Sequence, residues 1–171
     1  MTMATHVSDT GLPGHLGLLP LTGRGRGLAP LVHPDNESFW NSIAAGELSL
    51  QRCGSCQTLR FPLAPVCHQC LSPEFTWEAI DTRGSVNVVI ENARATDGMP
   101  RIGLEAPWPE LTPYFTGAVD LDCGLRLPGR IVCDCGEVRS RGVRVRGVSL
   151  ETTCDTRVHG FVHACVVGPF E

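Results

Sequence analysis

The spacing of apolar residues divides the chain into three stretches. Residues 1–34 are rich in glycine, proline and leucine and follow neither the helical nor the strand period, which predicts a flexible arm. Residues 35–80 begin with a short helical pattern and continue with short strands, whereas residues 81–171 carry strand patterns alone. We therefore expect a mainly β protein with three parts: an arm over 1–34, a small module over 35–80 and a β domain over 81–171.

The helical pattern lies in HPDNESFWNSIAAGEL, residues 33–48. Phe39, Trp40 and Ile43 fall on one side of a helix, and the polar residues at positions 35, 36 and 38 can cap its start. Gly46 can end it in the left-handed conformation. The pattern predicts a short amphipathic helix, followed by an alternating strand, LSLQRC, that leads into the first cysteine pair.

Five short strands are predicted in the last part of the chain, over residues 84–91, 114–121, 125–132, 142–150 and 158–167. Each is rich in valine and bounded by Gly, Pro or Asp, and most follow one another without a helix between them. This arrangement predicts a small closed barrel, which leaves no free strand edge. In GVRVRGV, Arg144 and Arg146 alternate with valines, so we expect one face of that strand to be exposed to solvent.

The cysteines give the strongest chemical signal in the chain. Cys53, Cys56, Cys67 and Cys70 form two C-x-x-C pairs in CGSCQTLRFPLAPVCHQC. Two such turns supply the four thiolates of a tetrahedral zinc site, and because all four ligands are protein groups the site is structural. A thioredoxin-type redox pair and a disulfide framework fit the pattern less well. Iron suits the same four thiolates, and spacing alone does not separate the two metals.

Charge and composition narrow the function classes. The chain has 14 basic and 18 acidic residues, a net charge of −4, which argues against strong nonspecific binding of nucleic acid. No apolar run reaches the ~20 residues of a membrane helix, and the N-terminal residues lack the pattern of a signal peptide. We therefore expect a cytoplasmic protein. No motif of a hydrolase, metalloprotease or nucleotide-binding enzyme is present.

The chain from residue 35 to residue 70 resembles a known family of zinc-ribbon and OB-fold proteins, long filed as a domain of unknown function. The shared features are a Phe-Trp pair on the helix, a Gly-Glu-Leu turn, an aromatic-Pro step in the spacer and two C-x-x-C pairs. Here they are FW at 39–40, GEL at 46–48, FP at 61–62 and the four cysteines. The resemblance implies a rubredoxin-like zinc ribbon followed by a five-stranded OB-fold barrel, and it covers residues 34–155.

Members of that family act as accessory subunits of acyl-CoA enzymes, with the chemistry in a partner of the thiolase or hydratase fold. The resemblance therefore implies a non-catalytic scaffold that binds an acetyltransferase, aldolase or ketosynthase-like enzyme and helps to frame its acyl-CoA site. The implied setting is lipid or steroid metabolism or secondary metabolism. The candidate contacts with the partner or with acyl-CoA are Phe39, Trp40, Arg52, Arg60, Phe61, Pro62 and Trp108.

Other interpretations of these residues stay open at this point. Phe39 and Trp40 can instead pack against their own ribbon, and the arginines can be ordinary solvated residues. A different function, binding of single-stranded nucleic acid, is common among zinc ribbons and OB-fold barrels. The acidic balance and the sparse aromatic residues of the barrel, 6% aromatic over the whole chain, favour it less. A self-sufficient enzyme is the third alternative.

Overall fold

The computed structural model describes residues 14–19, 26–92, 113–132 and 140–163. Trp108 and the end of the last predicted strand, residues 164–167, lie outside these ranges. In chain order the elements are β1 (Gly17–Leu19), α1 (Glu37–Ala44), β2 (Ser49–Cys53), β3 (Leu59–Arg60), β4 (Phe75–Ala79), β5 (Arg83–Asn92), β6 (Tyr114–Leu121), β7 (Arg126–Val132), β8 (Arg144–Glu151) and β9 (Arg157–His163). The predicted mainly β fold with one short helix is confirmed in the described ranges.

The strands form two sheets. The smaller one has the order β3-β2-β4 with both neighbours antiparallel to β2, and it carries the cysteine turns. In the larger one β5 pairs with β6 and β8, β6 with β7, β7 with β9 in parallel, and β9 with β8. These pairings close β5–β9 into the predicted five-stranded barrel. Gly117 is required within it, because a Cβ atom there would lie 2.3 Å from the carbonyl oxygen of Val88.

The N-terminal segment differs from the sequence prediction. Residues 17–19, inside the predicted flexible arm, form β1, which runs parallel to β8 from the Gly17–Val148 pair to the Leu19–Leu150 pair. Leu16 and Leu19 are fully buried. A parallel pairing over this sequence separation leaves no local period that a sequence pattern could reveal. The bounds of the three parts themselves stay a prediction.

The prediction that one face of β8 is exposed to solvent is wrong at one residue. Arg144 is exposed as expected, but Arg146 is only 8% exposed. Residues at positions 146, 148 and 150 share one face of the strand. On that face a second apolar cluster forms from Leu19, Val132, Val148, Leu150 and Val162. Both faces of β8 are therefore covered along most of its length.

Helix α1 joins the small sheet to the barrel. Asn36 stands at its N-cap position, and Gly46, with φ of +83°, turns the chain after its end. Phe39 and Ile43 are buried in the main core, which continues through both sheets. The Ser149 hydroxyl of β8 donates to the Ile43 carbonyl at 2.9 Å. Among the described residues, no helix is long and apolar enough to cross a membrane.

Candidate metal centre and contact surfaces

Two equivalent turns carry the four cysteines. In each, the residue after the second cysteine has a positive φ, 60° at Gln57 and 62° at Leu71. The amide of that residue donates to the carbonyl of the first cysteine, at 3.1 Å from Gln57 to Cys53 and 2.8 Å from Leu71 to Cys67. Each turn therefore reverses the chain sharply and directs two thiols to the same side, as the C-x-x-C spacing predicts.

The four sulfur atoms lie close enough to share one metal ion. Those of Cys53, Cys56, Cys67 and Cys70 all lie within 4.8 Å of one another. The Cys53–Cys70 and Cys56–Cys67 sulfur distances are 3.5 and 3.6 Å. Zinc–sulfur bonds of about 2.3 Å in a tetrahedron place neighbouring sulfurs about 3.8 Å apart. The donor set and its spacing fit structural zinc, and the exposed His68 between the last two cysteines is not needed as a ligand.

Each of the four thiol groups affects the protonation of its neighbours. The pKa of Cys53 is lowered to about 5, first by the backbone amide of Cys56 and further by other donors that include Arg60. The backbone amide of Ser72 lowers the pKa of Cys70, but contacts with the neighbouring thiols and burial outweigh it and raise that pKa to about 12. Thiolates this close to one another repel unless a cation lies between them. A divalent cation between the thiolates would remove this repulsion, and the four sulfur positions suit one.

The prediction that Arg60 contacts a partner or acyl-CoA requires a position at the surface. Arg60 does not lie there. It is fully buried, and its Nη2 atom donates to the carbonyls of Ser72 at 2.9 Å and Glu74 at 2.6 Å. Its Cζ atom lies 5.2 Å from the centre of the Phe75 ring. The guanidinium is thus enclosed between β3 and the second cysteine turn, where it is unavailable to a phosphate of CoA.

The other predicted contact residues divide between the core and the surface. Phe39 is 3% exposed and packs in the main core, so it is also unavailable to a partner. Arg52 donates from two nitrogens to the Glu78 carboxylate, each at 2.6 Å, so its charge is already paired. Trp108 lies outside the described residues. The candidates that keep exposed or half-buried surface are Trp40, Arg52, Phe61 and Pro62.

A cleft of about 760 Å³ lies between the start of α1 and the small sheet, and we call it the ribbon cleft. Pro34, Leu63, Pro65, Phe75 and Trp77 contribute its apolar walls. The rings of Phe75 and Trp77 meet edge to face at 5.9 Å and are 38% and 36% exposed. The sequence pattern did not predict this aromatic pair, although the i, i+2 spacing in FTW is a signal for a shared face.

A second concavity, the barrel groove, has a volume of about 520 Å³ on the outer face of β5, β6 and β7. Val88 and Ile90 are 50% and 59% exposed and form its apolar side with Ala118 and Pro128. The register of β5 against β6 shifts between Val86 and Val88. Such a bulge reverses the facing of the residues that follow, so Val88 points outward although Val86 is buried.

His159 lies where the barrel groove meets α1. Its ring stacks on Trp40 at 6.5 Å and meets Phe39 edge to face at 5.8 Å. Its Nε2 atom donates to the Pro128 carbonyl at 2.8 Å when that nitrogen carries the proton. Burial lowers the pKa of His159, so the ring is neutral at pH 7. The sequence pattern does not predict this contact of His159 with α1.

Asp120 and Asp122 of the barrel are engaged in ion pairs. Arg126 donates to Asp120 at 2.6 Å, and Arg144 donates to Asp122 at 2.6 Å. These guanidinium groups are the largest cause of the lowered pKa of each carboxyl. Both carboxylates are therefore charged at neutral pH and are poorly suited to act as general acids.

Comparison with known proteins supports the resemblance proposed from the sequence. Residues 40–76 match the family described as the ChsH2 rubredoxin-like zinc ribbon domain. Over 103 residues the chain is 28% identical to a probable enoyl-CoA hydratase alpha subunit of Thermomonospora curvata. That match covers 60% of this chain but only 29% of the relative's length. A solved structure of an Ltp2-ChsH2(DUF35) aldolase matches with a TM-score of 0.65 and 26% identity, over 80% of this chain and 99% of the matched chain.

Proposed function

We propose that this chain is a non-catalytic accessory subunit that binds a thiolase-fold or hydratase-fold acyl-CoA enzyme and helps to frame its acyl-CoA site. The observation that carries the proposal is the likeness to a chain of the Ltp2-ChsH2(DUF35) aldolase, which extends over 80% of this chain and therefore includes the barrel as well as the ribbon. The hydratase relative is likewise named as a subunit. Lipid or steroid metabolism and secondary metabolism remain the proposed settings.

The chemistry of the described residues supports a non-catalytic role. Four thiolates fill the coordination shell of zinc, which leaves no position for a substrate or an activated water. Asp120 and Asp122 are held by arginines, and their lowered pKa values favour the charged form. The neutral His159 is packed against two aromatic rings rather than against a nucleophile. These groups serve the fold, and the proposal assigns the reaction to the partner.

The ribbon cleft is the proposed surface for the partner enzyme. Its exposed aromatic pair, Phe75 and Trp77, supplies apolar area with few rotatable bonds, a combination enriched at protein interfaces. The zinc ion, which we propose is held by Cys53, Cys56 and Cys67 together with Cys70, fixes the turn that precedes β4. Zinc therefore contributes rigidity to this surface, and its loss should remove partner binding indirectly.

The barrel groove is the proposed site that frames the acyl group. Its Val88 and Ile90 side chains are exposed where a barrel exterior is more often polar, and Arg130 lies at its edge. The volume of about 520 Å³ is within the range of small-molecule sites. An acyl chain suits the apolar side of the groove better than a nucleotide base, because the described groove contains one aromatic ring, that of His159.

The first test is capture of a partner with the full-length tagged chain from its native lysate. We expect a thiolase-fold or hydratase-fold acyl-CoA enzyme in a stoichiometric complex. Trp77→Ala should reduce its recovery at least about tenfold if the residue is a hot spot of the interface. Leu71→Ala is the matched control, because Leu71 is an exposed apolar residue of the same ribbon, 73% exposed, outside the cleft.

Other outcomes would support a different function or a different interface. Recovery of RNA-binding or single-strand-processing proteins, with salt-dependent binding of an oligonucleotide, would favour the nucleic-acid alternative. Turnover of an acyl-CoA by the purified chain alone would contradict the non-catalytic role. Equal loss of partner in the Trp77 and Leu71 variants would argue against the ribbon cleft as the interface, while leaving the accessory function intact.

A further inference from the structure

Arg60 carries a buried positive charge that the described protein groups compensate only in part. A guanidinium stays protonated at physiological pH, and burying it requires acceptors or negative charge. Arg60 is 0% exposed, and two backbone carbonyls accept hydrogen bonds from its Nη2 atom. Its Nε and Nη1 atoms are buried without a hydrogen-bond partner among the described residues. The ion pairs found in the described ranges involve other arginines.

The metal centre lies beside this guanidinium. Arg60 is paired across the sheet with Gln51, two residues before Cys53. Its acceptor carbonyls, on Ser72 and Glu74, follow the second cysteine turn directly. The guanidinium is close enough to the Cys53 side chain to act on that thiol. Four thiolates and one Zn²⁺ together carry two negative charges, which is the compensation that Arg60 otherwise lacks.

We propose that Arg60 is the buried counter-cation of the tetrathiolate centre, and that its charge strengthens the binding of zinc. It acts on the ligands without being one, so it is a positioning residue. Groups in this second layer around a metal orient the ligands and tune their affinity for the ion. The inference concerns this chain alone, and it holds or fails independently of the partner enzyme.

The competing explanation is a purely structural clamp. In that case Arg60 joins β3 to the second cysteine turn through its two carbonyl contacts, and the charge has no influence on the metal. A clamp acts through the hydrogen bonds to the two carbonyls alone, so a neutral hydrogen-bond donor at position 60 should preserve much of its effect. A counter-cation should stabilise mainly the loaded chain, because its partner charge appears only when the thiols lose their protons to the metal.

The test compares zinc affinity across variants of the full chain. Arg60→Met removes the charge, Arg60→Gln also removes it but keeps hydrogen-bond donors, and Arg60→Lys keeps the charge. Arg126→Met is the control, because Arg126 lies on β7 of the barrel, away from the cysteine turns, and pairs with Asp120. Zinc dissociation constants come from competition with a chromophoric chelator. Cobalt(II) substitution then reports by its absorption spectrum whether the four-sulfur tetrahedron is retained.

The proposal predicts that the Met and Gln variants bind zinc about 10–100-fold more weakly, as is typical when an outer partner of a metal site is removed. The Lys variant should retain most of the affinity, and Arg126→Met should match the unaltered chain. If a neutral variant folds only at raised zinc, the zinc dependence of its folding gives the same constant. Unchanged affinity in the neutral variants, an equal loss in the Lys variant, or failure to fold at any zinc concentration would overturn the proposal in favour of the clamp.

Discussion

His159 should make the joint between α1 and the barrel sensitive to acid. Its ordinary pKa is 6.5, and burial lowers that pKa in the folded protein. The unfolded chain therefore binds a proton at a pH at which the folded chain does not, so acid favours the unfolded chain. The stabilisation is fully present above pH 6.5 and is lost as the pH falls toward the folded pKa.

The loss of stability in acid depends on how far the pKa of His159 differs between the folded and the unfolded chain. Each pH unit below 6.5 over which the folded ring stays neutral removes about 1.4 kcal/mol of folding free energy. This is an upper limit, because a charged ring stacked on Trp40 would regain part of it through a cation–π contact. His159→Phe keeps an aromatic ring against α1 but cannot take up a proton. It also loses the hydrogen bond to Pro128, which contributes about 1 kcal/mol.

The assay is urea unfolding of zinc-saturated protein at pH 7, 6 and 5, followed by tryptophan fluorescence. At pH 7 the unaltered chain should be more stable than His159→Phe by about 1 kcal/mol. The difference should shrink toward pH 5, since only the unaltered chain loses the histidine contribution. His33→Phe, at an exposed histidine, controls for the loss of a histidine in general. A constant difference between His159→Phe and the unaltered chain from pH 7 to pH 5 would refute this reasoning.

Three further predictions concern the metal, the core and a surface ion pair. Removal of zinc by a chelator should unfold β2–β4 and lower the melting temperature, since the metal closes the small sheet; an unchanged melting curve would contradict a structural metal. Ile43→Ala should destabilise the protein by about 2–5 kcal/mol in urea unfolding, whereas Leu18→Ala, 58% exposed, should change stability by less than about 0.5 kcal/mol. Similar losses at the two sites would mean that α1 is not packed as described. Asp122→Asn should cost no more than about 1 kcal/mol, and less in high salt, because both side chains of its pair with Arg144 are nearly half exposed; a larger, salt-independent loss would contradict a surface role.

Much of the fold could be predicted because the relevant signals are local. The C-x-x-C spacing specifies two tight turns, and the apolar spacing of Phe39 and Ile43 specifies the buried side of α1. The valine-rich runs between glycine and proline specify the barrel strands, whose predicted bounds lie within two residues of the observed ones where both ends are described. Each of these features depends on residues fewer than about 20 positions apart, within which periodicity and turn chemistry act.

The remaining features depend on contacts between distant parts of the chain. Arg146 is buried because Leu19 of β1, Val132 of β7 and Val162 of β9 complete an apolar cluster on its face of β8. Val88 is exposed because a bulge reverses the strand after Val86, which strict alternation does not anticipate. Arg60 is buried by the second cysteine turn, 12–14 residues further along the chain. From the sequence alone, a charged residue in a short strand is predicted to be exposed, because contacts with distant parts of the chain are not visible in a local pattern.

The two proposed surfaces share one rigid support. The ribbon cleft includes Asn36 and Ser38 at the start of α1, and Trp40 of the same helix stacks on His159, which lines the barrel groove. Because the helix has only eight residues and its buried side is locked into the core, it cannot move at one surface without moving at the other. If a partner enzyme binds the ribbon cleft, the position of the barrel groove relative to that enzyme is therefore set by the fold itself. A subunit that frames another enzyme's acyl-CoA site, the role we propose, requires a fixed relation between these two surfaces, and the packing of α1 against both β2 and β9 supplies it.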